Sequence, residues 1–135
     1  MRRIITTIAL LGLSLAVMLA PTSASAASSV EVTSGTLVAR GVAVDLTLTV
    51  VCQAGMSGTS NLTLRQRSGD RVAHGTGWAP LRCSGETQVV TGRVFADAGG
   101  FAFNKGVALA SGHFELCEQE NCEFLDFNNT FRITR

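Results

Sequence analysis

The chain has 135 residues and a formal net charge of +1; 46% of its residues are hydrophobic and 16% are charged. That balance excludes a disordered acidic chain and a strongly basic nucleic-acid binder, and the length allows one folded domain at most. Seven Phe, one Trp and no Tyr leave too few rings for a stacking platform on single-stranded nucleic acid.

Met1-Arg2-Arg3 is a short basic start, and residues 4–20 form an almost unbroken apolar run that Pro21 ends. Small residues follow, and Ala24-x-Ala26 fits a signal-peptidase cleft, so cleavage is expected after Ala26, leaving Ala27 at the new N-terminus. The run approaches membrane-spanning length, but its basic start and small-residue motif read as a signal peptide rather than an anchor. The strongly apolar core suits the general secretory route; Arg2-Arg3 leaves the twin-arginine route open. Residues 27–135 would then form a single secreted domain with nine basic and ten acidic side chains. No membrane association is expected after removal of the leader.

Beyond the leader the apolar pattern has a period of two. Residues 30–33 and 36–39 read as short strands broken at Ser34-Gly35, with a turn at Arg40-Gly41. In residues 42–52, Val42, Val44, Leu46, Leu48, Val50 and Cys52 share one face, which points Cys52 inward. A Gly/Ser-rich loop spans 53–59, and residues 61–67 alternate again with Leu62 and Leu64 inside. Ser68-Gly69-Asp70 is turn material, and residues 71–75 return as a hairpin partner. Pro80 marks residues 78–81 as an edge or a loop. Residues 88–96 form the next strand, followed by a turn at 97–100. Strands at 107–117, 122–127 and 130–134 close the chain. Seven to nine short strands with frequent turns predict an all-β, antiparallel immunoglobulin-like β-sandwich, with a small barrel as the other option.

The four cysteines, Cys52, Cys83, Cys117 and Cys122, form an even set in an exported chain and read as two disulfides. Three pairings are possible, and geometry favours one. Glu118-Gln119-Glu120-Asn121 is a polar turn between apolar-patterned stretches, so Cys117 and Cys122 stand opposite each other in a hairpin, leaving Cys52 for Cys83. No close Cys or His pair has zinc-ligand spacing, and no C-x-x-C is present, so neither a metal nor another cofactor is expected.

The hairpin register places His113 opposite Asp126, Glu115 opposite Phe124 and Phe114 opposite Leu125. His113 and Asp126 lack a nucleophile in any recognisable motif, and no G-x-S-x-G elbow exists, so no catalytic residues are assigned. Acidic residues gather nearby (Glu115, Glu118, Glu120, Glu123, Asp126). Without a D-x-D-x-D-G loop they read as a solvated end rather than a calcium site. Gly75-Thr76-Gly77-Trp78 lacks the Lys-Ser/Thr ending of a phosphate loop. Trp78, the single Trp, is the candidate ligand or partner contact; the competing reading packs it half-buried beside the Cys52–Cys83 bridge.

The segments Gly-Val-Ala-Val from Gly41, Thr-Val-Val-Cys-Gln-Ala-Gly around Cys52, Leu-Arg-Gln-Arg, Val-Ala-His-Gly-Thr-Gly and Cys83-Ser-Gly carry a family pattern. Together with the exported N-terminus they resemble small uncharacterised secreted proteins of high-GC Gram-positive bacteria with immunoglobulin-like β-sandwiches. The resemblance implies a fold and a location, and no activity. The C-x4-C spacing of Cys117 and Cys122 is also similar to that in secreted apoproteins that carry enediyne antibiotics. The other bridge of those apoproteins closes a much shorter loop than Cys52 to Cys83. The expectation is a secreted monomer without enzymatic activity that binds a protein, surface or small-molecule partner. A carrier of an apolar small molecule and a secreted hydrolase inhibitor are the alternatives.

Overall fold

The computed structural model describes residues 27–135. The expected signal peptide, with Ala24 and Ala26 of its cleavage motif, lies outside the described residues, and Ala27 is the first of them.

Alternation becomes strand throughout. β1 (Ser29–Val38) passes through a 3-10 turn (Ala39–Gly41) into β2 (Ala43–Val51), followed by β3 (Ser57–Ser68) and β4 (Arg71–Arg82). β5 (Gln88–Ala96), β6 (Gly106–Glu118) and β7 (Asn121–Thr134) complete the fold. In β2, Val44, Leu46, Leu48 and Val50 are fully buried, and Cys52 follows them inward. Val42 departs from the expected pattern: it belongs to the turn and is exposed, while Ala43 is buried. The break expected at Ser34-Gly35 is a shift in the register between β1 and β2. An irregularity of this kind bends a strand without ending it. The two short strands expected at the C-terminus are likewise one, β7.

The strands run β1-β2-β5-β4-β3-β6-β7 around a closed barrel, with β1 antiparallel to β2 and parallel to β7. The expected sandwich of two separate sheets therefore gives way to the other option, one continuous sheet closed into a small barrel. At the β4–β5 seam the strands approach closely. Gly75 and Gly77 of β4 face β5 so closely that a Cβ on Gly77 would lie 2.0 Å from the Arg93 carbonyl oxygen, and one on Gly75 would lie 2.3 Å from that of Phe95. Only glycine permits that approach.

The closing seams are narrow. β4 and β5 share four register pairs, from Gly75–Ala96 to Trp78–Arg93, and β1 and β7 share two. The hairpins β3–β4 and β6–β7 share twelve and thirteen. Pro80 pairs with Thr59 of β3 but lies beyond the β5 contact, where a missing N–H costs β4 nothing.

The interior is filled by side chains: Leu46, Leu48, Leu62, Leu64, Phe103 and Phe114 are among those almost wholly buried, as expected in a barrel this small. Two buried polar residues are fully partnered. Ser60 accepts from the Ala79 N–H and donates to its carbonyl. Gln66 bonds both backbone groups of Asn104, tying the β5–β6 loop to β3. The disulfides are Cys52–Cys83 and Cys117–Cys122, with Cα separations of 5.4 and 4.1 Å.

Candidate functional site

Trp78 does not pack beside the Cys52–Cys83 bridge. Its neighbours Gly77 and Ala79 face inward or sideways, and strand parity turns the indole out of the barrel, where it is 60% exposed. Across the narrow seam, Trp78 pairs with Arg93 and Thr76 pairs with Phe95. Trp78 and Phe95 are thus diagonal neighbours on one face, at a spacing large rings can bridge. Phe95 is 53% exposed. Together with Pro80, Thr91 and Arg93 they line an open groove of about 410 Å³.

Arg93 is fixed from the other side. Its Nε and Nη2 donate to Asp45 Oδ1 and Oδ2 of β2, at 2.5 and 2.8 Å. Those hydrogen bonds are the main cause holding the Asp45 carboxyl below its ordinary value; partial desolvation opposes them and the guanidinium charge adds to them. The paired guanidinium leaves the groove with one polar wall and two aromatic rings.

The face continues from Trp78 across β3, β6 and β7. Asn61 pairs with Trp78, His113 with Asn61, and Asp126 with His113, and all three are exposed. The expected register of the C-terminal hairpin therefore holds, but the His113 ring meets Asn61, with Nε2 3.4 Å from Asn61 Nδ2, and no hydrogen bond or ion pair among the described residues joins it to Asp126. The ion pairs among the described residues are elsewhere, at Arg93–Asp45 and at His74 Nδ1–Asp97 Oδ2, 2.6 Å apart. Asp97 is the one hydrogen-bonding side chain that His74 has among the described residues.

Glu115, Cys117 and Cys122 bring potential ligand atoms within 4.8 Å of one another. Both sulfurs belong to the disulfide, which removes the thiolates a metal would need. Glu118, Glu120 and Glu123 cluster at the same hairpin, and Glu123 accepts from Ser28 Oγ.

No motif in the sequence singles out Phe95. The available signal was parity with Arg93: a guanidinium two positions away places Phe95 outside, while Val94 between them is fully buried. No protein-family model matches the chain, and no curated protein matches it in sequence.

Proposed function

We propose that the chain is an exported, non-enzymatic bacterial binding protein whose contact surface is the Trp78–Phe95 groove. The leader motif at residues 1–26 and the two disulfides support export. No helix among the described residues is long and apolar enough to cross a membrane.

The observation that carries this reading is the exposure of the only Trp beside an exposed Phe. Burying either ring against the core would gain roughly 1.5–3 kcal/mol, and rings of this kind are the usual anchors of binding surfaces. The carrier alternative has less behind it. An enclosed ligand site buries most of its occupant, whereas this groove lies open on the outer face and the interior is packed.

A groove that accepts an apolar anchor from a partner also accepts a neutral aromatic probe. Since Trp78 is the only Trp and Tyr is absent, intrinsic fluorescence reports the groove directly. N-phenyl-1-naphthylamine is expected to quench Trp78 emission saturably, and Phe95→Ser to weaken that quenching about tenfold. Emission that stays unquenched, or quenching that Phe95→Ser leaves unchanged, excludes the groove as the contact surface.

A further inference from the structure

The strand directions sort the charged residues by end. β1, β3, β5 and β7 run toward the end that carries the 3-10 turn, the β3–β4 turn, the β5–β6 loop and the C-terminus. Arg65 and Arg67 near the end of β3, Arg71 at the start of β4, and Arg40 in the 3-10 turn lie there. Lys105 before β6, with Arg132 and Arg135 at the end of the chain, joins them. All seven are exposed, and only two acidic side chains, Asp70 and Asp97, share that end. The opposite end reverses the balance, with Glu31, Glu86, Glu115, Glu118, Glu120 and Glu123 against Arg82 alone. Asp45, Arg93 and Asp126 lie between. A chain of almost zero net charge is thus folded into a barrel with one basic and one acidic end.

The bases at the basic end are not neutralised locally. Of the two acidic side chains, Asp97 is held by His74, and neither ion pair among the described residues includes any of the seven bases. Strand parity puts Arg65 and Arg67 on the outer face about 7 Å apart, and Arg132 is exposed two strands away on β7. At the rim the Arg71 guanidinium is held over the Phe101 ring, 5.0 Å from its centre, beside a notch of about 240 Å³ floored by Ala73 and Gln66.

We propose that this basic end is a docking surface for a linear phosphate polymer. Six of the seven bases are Arg, whose planar fork matches a phosphate bidentately. The choice over head-to-tail pairing of two copies follows from energetics. Exposed ion pairs between two barrel ends are screened and contribute little, and a stable protein pair buries about 800 Å² per partner, mostly beyond the charged rims. A polymer that engages several bases at once gains instead from counterion release. The acidic end repels the same polymer, so the barrel docks in one polarity.

The test is calorimetric titration of the folded protein with long-chain inorganic polyphosphate at a series of salt concentrations. Binding is expected at low salt, with affinity falling steeply as salt rises. Arg65→Ser/Arg67→Ser/Arg132→Ser, three exposed positions, is expected to weaken binding about tenfold or more and to flatten the log K against log[salt] slope by about 2. Glu118→Gln/Glu120→Gln at the far end is expected to bind at least as well as the parent. Absence of binding at low salt, or binding that the triple Arg variant leaves intact, overturns the proposal. So does light scattering that finds a salt-sensitive dimer without polyphosphate, dispersed by substitutions at either end.

Discussion

The Cys52–Cys83 bridge is buried and joins the ends of β2 and β4, strands that flank β5 without pairing with each other. The Cys117–Cys122 bridge stands at the same end of the barrel, on a hairpin whose strands already share thirteen register pairs. The first bridge supplies a connection the hydrogen-bond ladder lacks. β4 and β5 part after Trp78 and Arg93, and beyond that point the gap is spanned by the Gln88 amide on the Arg82 carbonyl, 2.7 Å away, and by the disulfide. The second bridge repeats a connection that backbone pairing already makes. The Trp78–Phe95 groove therefore lies over one of the two short-laddered seams of the sheet, the one whose flanking strands β2 and β4 the buried disulfide joins.

Removing each bridge separately measures the difference. On the loop-entropy relation, closing the 31-residue separation of Cys52–Cys83 contributes about 3.7 kcal/mol and the five-residue separation of Cys117–Cys122 about 2 kcal/mol. Cys52→Ala/Cys83→Ala is accordingly expected to lower Tm by roughly 15 °C or more, and Cys117→Ala/Cys122→Ala by roughly 10 °C or less. Only the first should also shift Trp78 emission, because only the first loosens the seam beneath the indole. Equal losses from the two variants, or an unchanged indole spectrum in the first, would show that the β4–β5 seam stands without its bridge.

The seam itself is the next point of attack. Gly77→Ala places a methyl group 2.0 Å from the Arg93 carbonyl oxygen, and backbone cannot yield as a flexible side-chain tip does. The expected cost is about 1–3 kcal/mol, read as a lower denaturation midpoint. Amide exchange should locate it: residues 93–96 are expected to lose protection while the β6–β7 amides keep theirs. A uniform loss over all strands would mean that the substitution unsettles the whole core rather than opening the barrel at β4–β5.

What could be read from the sequence followed from strand parity and covalent logic. Alternation bounded by turn residues on both sides predicts β5 at residues 88–96, where it is found. The pairing of Cys117 with Cys122 fixed a register that carries through His113–Asp126. A small barrel is the second option in the sequence, but the strands that close it are not legible there, because the β4–β5 contact depends on glycines that permit it without announcing a partner. Gly75 and Gly77 look like loop residues until Phe95 and Arg93 are set against them. The same ambiguity hid the start of β3, where Gly58 is required because the Glu115 carbonyl oxygen lies 1.8 Å from the position of a Cβ. Trp78 stood out as the only Trp. Phe95 did not, since Val89 and Phe95 on the outer face of β5 blur its alternation. Charge segregation between the ends needed all seven strand directions, and composition alone reports only their cancelling sum.

The smallest expected effect concerns the hydrogen-bonded pair that steadies the groove from the β2 side. Arg93 lowers the Asp45 carboxyl pKa in the folded chain below its ordinary value of 3.8, so the folded state holds the carboxylate more strongly than the unfolded state does. The sign follows: the pair's contribution is fully present above the unfolded pKa and is lost as pH falls through the lowered folded one. The Tm difference between the parent and Asp45→Asn should therefore be constant from neutral pH down to about pH 5. It should then shrink to nothing on further acidification. Both side chains are partly solvated, which keeps the difference within about 3 °C and makes it fall with added salt. Trp78 emission, read in the same titration, separates stability from placement. If Asp45 positions Arg93 against the groove, the indole spectrum of the parent should move toward that of Asp45→Asn over the same acid range. A spectrum that stays fixed while Tm falls would show that the groove keeps its shape without this pair and rests on the Cys52–Cys83 side alone.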